Sequence, residues 1–144
     1  KNKAPDVIVN TVAYTNVAEC ESGVEKKIAN AVNHLFPSAL AKLCASYSIT
    51  LIHFSTDFVF DGEKKTPYCE RDLTSPLNFY GKSKLLGEKA ILNSECKYYI
   101  FRTSWLLSAY GHNFLTKITD ALLKLKLLMI NLVLQRLLLN YLTL

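Results

Sequence analysis

The chain has 144 residues, half of them hydrophobic and 20% charged, enough apolar material for one domain with a core and too much for a disordered chain. Seventeen Lys and Arg against twelve Asp and Glu give a formal charge of +5. The basic residues are scattered without interleaved aromatics, so a nucleic-acid module is not expected, whereas a phosphate-bearing small molecule suits the excess.

In chain order, Val7 to Val12 (VIVNTV) is β-branched and nearly uniform, the pattern of a strand buried on both faces of a parallel sheet. Residues 13–20 read as a loop. Ser22 and Glu25 carry the spacing of a helix capping box, and the helix that follows runs to about Tyr47, interrupted at Pro37, with Leu40, Leu43 and Cys44 on its apolar face. Ile49 to Ser55 is a second strand. The stretch 56–77 holds Asp61-Gly62, Pro67 and Ser75-Pro76, all turn signals; Ser75-Pro76 also suits the start of a helix reaching about Asn93. Tyr98 to Thr103 is a third strand and Asn113 to Lys126 a third helix.

Alternating strands and helices imply an α/β domain, here part of a Rossmann-like, doubly wound parallel sheet with flanking helices, over residues 1–126. Residues 127–144 are a leucine-rich, divergent terminus expected to favour association, such as a homodimer. Arg136 breaks it, and its charge-free run is far short of the ~20 residues a membrane span needs. Cys20, Cys44, Cys69 and Cys96 form no CxxC pair and the three histidines are far apart, so no metal site is expected. With no signal segment in the sequence, the four read as reduced thiols of a cytoplasmic protein.

Open α/β sheets place ligands beyond the carboxyl ends of their strands. The polar groups there are Thr11 with Ala13-Tyr14-Thr15, Ser55-Thr56-Asp57, and Arg102 to Trp105; the helix after Pro76 adds Tyr80 and Lys84. Tyr80 and Lys84, four apart, share one helix face, a spacing that a solvated lysine beside a partly buried aromatic meets equally well. Their context points to ketone reduction, which needs a hydride at the carbonyl carbon and a proton at its oxygen. A phenol titrates near 10, too high for an ideal acid at neutral pH, and a nearby ammonium should lower it. Tyr80 is therefore the expected acid, Lys84 its tuner and cofactor clamp, and Thr56 the polariser of the carbonyl. Ser55 is the alternative to Thr56, but adjacent strand residues point to opposite faces. His53, inside a strand, reads as a satisfied core histidine, and Arg102 as a residue that orders loops or meets phosphate.

The segments NTVAYTNVAECE (10–21), HFSTDFVFDGEKKTPYCERD (53–72), SPLNFYGKSKLLGEKA (75–90) and YYIFRTSWLL (98–107) resemble the dTDP-4-dehydrorhamnose reductases, a family of the extended short-chain dehydrogenase/reductases, over residues 5–118. The resemblance implies reduction of the 4-keto group of a dTDP-4-dehydro-6-deoxy sugar with NADPH or NADH, by a triad of Thr56, Tyr80 and Lys84. It implies a cofactor held by Thr11, Val12, Ala13, Tyr14, Asn33, Ser55, Tyr80 and Lys84, with Asn33 (or its rival Asn30) supporting the lysine. It places the nucleotide-sugar substrate against Val17, Thr56, Phe58, Tyr80 and Trp105. Phe58 stands where the family usually has a tyrosine. The family's Gly-rich dinucleotide fingerprint is expected upstream of Lys1, its C-terminal substrate lobe is not found, and a piece so cut is expected to be inactive alone. A relative on the same scaffold, the regulatory subunit of methionine adenosyltransferase, shares the Phe-Asp-Gly and Tyr-Gly-Lys-x-Lys patterns and implies a non-catalytic binding role instead; Arg102-Thr-Ser-Trp105 favours the reductase.

Overall fold

The computed structural model describes residues 3–106 and 116–126. The chain divides into two units, Lys1–Ser104 and Trp105–Leu144. In the first, strands β1 (Val7–Asn10), β2 (Thr50–Thr56) and β3 (Tyr98–Thr103) form a parallel sheet in that order. Helix α1 (Gly23–Asn30), a π-helical turn (Ala31–Leu35) and helix α2 (Phe36–Ser46) connect β1 to β2, and helix α3 (Phe79–Leu92) lies between β2 and β3. This is the expected α/β arrangement of parallel strands joined through helices.

Register fixes which residues share a face. Asn10 pairs with His53, and His53 with Ile100; with alternating side chains, this face also carries Leu51 and Ser55. Here α2 and α3 pack, through Ala41, Cys44 and Ile91, onto Leu51, Ile49 and Cys96. The opposite face holds Val7, Val9, Phe54, Tyr99 and Phe101, all exposed. The expectation that 7–12 is buried on both faces is thus corrected. Val7 and Val9 are 48% and 55% exposed, because the helices of this unit cover only the Leu51 face, and the strand ends at Asn10 rather than Val12.

Three local details also differ from the sequence reading. Ser22 stands at the N-cap of α1 but makes no capping bond; its hydroxyl donates to the Glu19 carbonyl, and Glu25 receives the Tyr14 phenol instead. The break expected at Pro37 is the π turn just before it, where proline has no N–H to continue the i→i−4 ladder. Helix α3 starts later than Ser75-Pro76, at Phe79, because Asn78 supplies the cap: its side-chain oxygen accepts from the Gly81 N–H at 2.8 Å. Leu43, expected on the apolar face, is half exposed.

In the second unit, residues 116–126 are helical, within the expected 113–126. The leucine-rich stretch from 127 onward, with the association expected of it, lies outside the described residues. Among the described residues no helix is long and apolar enough to cross a membrane, and the four cysteines are free thiols.

Candidate active site

Thr56 is the last residue of β2 and caps the short turn Asp57–Val59 that follows. Its Oγ1 accepts from the Phe58 N–H at 3.2 Å and donates to the Asp57 carboxylate at 3.1 Å. Tyr80, in the first turn of α3, is 9% exposed and packs with Cys20 and Ala29, flanked by Val17 and Phe79. Phe58 meets it edge-on, the ring centroids 5.7 Å apart. Burial pushes the Tyr80 phenol above its ordinary value; the neighbouring Thr56 hydroxyl opposes this, and Asp57 and Cys20 add to it. The expected lowering by Lys84 is therefore not what sets this group. At neutral pH Tyr80 is a protonated phenol, the form that donates a proton.

Lys84 lies one helical turn on and is 1% exposed. Its Nζ donates to the Phe54 carbonyl at 2.7 Å, beyond the point where β1 ends at Asn10. Burial lowers its pKa to about 8, with Glu88 pulling the other way. An ammonium has three N–H groups, so two remain after Phe54. Beyond β1, Thr11 and Val12 are exposed, with the Val12 N–H bonded to the Asn10 side chain.

Asn33 does not bond Lys84. It is fully buried in the π turn, where its Oδ1 accepts from the Tyr14 N–H at 2.9 Å and its Nδ2 donates to the Tyr14 carbonyl and to Ser83 Oγ, both at 3.0 Å. It clamps both sides of Tyr14 and ties the loop after β1 to α3. The Tyr14 phenol bonds Glu25 at 2.7 Å and Glu19 at 3.2 Å, and these carboxylates keep it firmly protonated.

Ser55 points to the helix-covered face with Leu51 and His53; its Oγ is buried without a partner. Arg102 is engaged with the fully buried Glu88, donating through Nη2 at 2.7 Å and Nε at 3.1 Å, and lies 5.0 Å over the Phe60 ring. It orders structure and is not free for phosphate. Beside Phe58 opens a cavity of about 290 Å³, bordered also by Asp57, Asp61, Tyr68, Leu77 and Asn78. Trp105 opens the second unit, with a left-handed backbone, φ 48.

His53 is a buried core histidine but not the satisfied one expected, because its Nε2 has no hydrogen-bond partner among the described residues. The Asn10 side-chain oxygen accepts from the Val12 N–H at 3.1 Å, which turns its amide NH2 toward His53 Nδ1 at 3.0 Å. An amide NH2 only donates, so Nδ1 is the unprotonated nitrogen and the imidazole is neutral. Burial, and then Lys84, lower its pKa to about 4. The unfolded chain, with an ordinary value near 6.5, binds the extra proton between these values. This contribution to stability is full above about pH 6.5 and falls by ~3 kcal/mol as the pH drops through 4. Urea midpoints at pH 7 and pH 4.5 are expected to show a smaller acid loss for His53→Gln than for the wild type; equal losses would contradict the assignment.

The family model described as the RmlD substrate binding domain matches residues 1–131. The chain belongs to this family. A dTDP-4-dehydrorhamnose reductase of Sinorhizobium fredii is 48% identical over 117 residues, covering 81% of this chain and 39% of the relative; one of Shigella flexneri is 46% identical over 114, covering 79% and 38%. The chain thus spans about two-fifths of the length of the curated relatives it matches. The crystal structure of the Bacillus anthracis dTDP-4-dehydrorhamnose reductase in complex with NADP superimposes with a TM-score of 0.75 at 34% identity, over 81% of this chain and 41% of that one. The Rossmann-like reading of the fold stands with it.

Several residues that build the site were not singled out from the sequence. Glu21 accepts from the Phe79 N–H at 2.6 Å, and with Asn78 it fixes the first turn of α3. Asparagine before a helical run is a cap signal and was legible; Glu21 acts across 58 residues, for which no local signal exists. Glu88, four residues beyond Lys84, was legible from spacing alone.

Proposed function

We propose that the chain carries the acid–base part of a nicotinamide-dependent reductase that converts the 4-keto group of a dTDP-4-dehydro-6-deoxy sugar to an alcohol. The observation that carries this reading is the buried Tyr80, edge-on to Phe58 two residues past Thr56 at the carboxyl end of β2, with a buried Lys84 one turn along α3 whose Nζ donates to the Phe54 carbonyl. A reduced nicotinamide supplies the hydride when bound. Tyr80 gives its phenolic proton to the carbonyl oxygen as charge develops there. Thr56 turns its hydroxyl from Asp57 to the same oxygen. Lys84 holds the ribose hydroxyls with its two remaining N–H groups, and its positive charge stabilises the phenolate left on Tyr80 after transfer.

Thr11, Val12 and Ala13 border the cofactor through their backbone, and the Asn33 clamp fixes Tyr14 beside them. Phe58 and the cavity next to it take the sugar, and Val17 closes the Tyr80 side. Phe58 gives the sugar an aromatic edge in place of a hydroxyl, which suits the methyl group of a 6-deoxy sugar.

Titrating NADPH into the chain and following nicotinamide fluorescence tests this reading. Saturable binding that weakens at least about tenfold in Lys84→Met is expected, the loss of charge-assisted hydrogen bonds. Absence of binding by a chain shown to be folded would contradict a cofactor site built from these residues.

A further inference from the structure

Residues 61–72 form no helix or strand, and of residues 62–70 only Tyr68 is not exposed. A stretch so open to water is expected to be loose, yet its polar groups converge on two side chains. The Tyr68 phenol donates to the Asp61 carboxylate at 2.7 Å and accepts from the Lys64 N–H at 3.1 Å, so both of its hydrogen-bonding roles are used. Asp72 ties the far end, accepting from Lys64 Nζ and, at 2.7 Å, from the Cys69 N–H.

The Tyr68 ring also stacks on Phe60, with the centroids 4.2 Å apart and the planes within 14° of parallel. The Arg102 guanidinium lies over the same Phe60 ring, 5.0 Å from its centre, and its Nε and Nη2 hold the Glu88 carboxylate in a fork. Arg102 stands on β3, and Glu88 is 1% exposed on α3. The series Tyr68, Phe60, Arg102, Glu88 thus runs by direct contact from a surface loop to a strand and a helix of the core.

We propose that Tyr68 is a positioning residue for the sugar: it holds 61–72 as a fixed wall of the cavity beside Phe58, and the Phe60–Arg102–Glu88 series anchors that wall to α3 and β3. This rests on the reading of that cavity as the sugar site. Half of the residues lining it, Phe60, Asp61, Gly62 and Tyr68, belong to the loop or to the ring on which the loop stacks. A wall ordered only when its ligand arrives sets the entropy of ordering against binding; a wall held beforehand does not. Tyr68 bonds neither Tyr80 nor Thr56, so its loss falls on binding of the sugar and not on proton transfer.

The test compares the wild type with Tyr68→Phe, which keeps the stack and loses the phenolic bonds, and Tyr68→Leu, which loses both. In this chain, hydrogen exchange over 61–72, read by mass spectrometry, is expected to quicken at least about tenfold in Tyr68→Leu, for the loss of an aromatic pair and two hydrogen bonds. The rise should be smaller in Tyr68→Phe, and exchange in β2 and α3 should not change. Where Tyr68→Leu loosens β2 and α3 as well, Tyr68→Phe decides, by a rise confined to 61–72. In the longest form of the protein that carries these residues, KM for a dTDP-4-dehydro-6-deoxy sugar is expected to rise at least about fivefold in Tyr68→Leu and less in Tyr68→Phe, with kcat and NADPH affinity within about a factor of two of the wild type. Loop exchange no slower in the wild type than in the variants overturns the brace, and faster exchange with an unchanged KM overturns its role in the sugar site. A wild type that turns over no such sugar defeats the reductase reading instead, and the exchange measurement still decides the brace.

Discussion

Tyr80→Phe is expected to lower the turnover of ketone reduction at least ~10²-fold, the lower end for removal of a general acid, in the longest form of the protein that carries these residues. The substitution removes one oxygen and keeps the ring. The edge-on contact with Phe58 and the packing on Cys20 and Ala29 remain, so stability and NADPH binding should change little. The loss belongs to kcat, because a proton delivered as the oxygen gains charge is worth nothing in the ground state. Raising the pH should not restore it, since the missing group is the donor. Turnover within a factor of two of the wild type would remove Tyr80 from the mechanism.

Gly81→Ala is expected to cost about 1–3 kcal/mol of stability, the usual range for overpacking, even though alanine is the better helix former by ~1 kcal/mol. A Cβ at Gly81 would overlap the backbone carbonyl of Phe58 and press on Pro76. A carbonyl in a tight turn cannot swing aside like the end of a flexible side chain. The first turn of α3 must therefore move away from the segment that carries Thr56 and Phe58, and Tyr80 moves with it. Urea unfolding should show the lower midpoint with an unchanged slope. Gly23→Ala is the control, because nothing lies within 4 Å of a Cβ there. A Gly81→Ala chain as stable as the wild type would mean that α3 does not approach the turn as closely as described.

The sheet and its helices were legible because the signals are local. The run 98–103 alternates little and forms a strand at those residues, and Tyr80 and Lys84 fall on one helix face by spacing alone. The solvent-facing side of the sheet was not legible. Val7 and Val9 look the same in sequence whether a helix covers them or not; only the placement of α2 and α3 on the Leu51 face decides it. The phenol of Tyr80 shows a second limit. From sequence, Lys84 was the obvious influence, but burial dominates, and burial depends on how deeply α3 sits. Asn33 marks a third. Its proximity to the site was readable from the family pattern, but its partners, Tyr14 and Ser83, are 19 and 50 residues away, and only the fold selects them over the lysine.

The most direct test of the central claim follows NADPH consumption with a dTDP-4-dehydro-6-deoxy sugar in the longest form of the protein that carries these residues, together with the sugar's 4-position. One NADPH oxidised for each new 4-hydroxyl, abolished in Tyr80→Phe, is the predicted result. NADPH bound but not oxidised, with the 4-keto group unchanged, would contradict the account and make a binding role the better description of the chain.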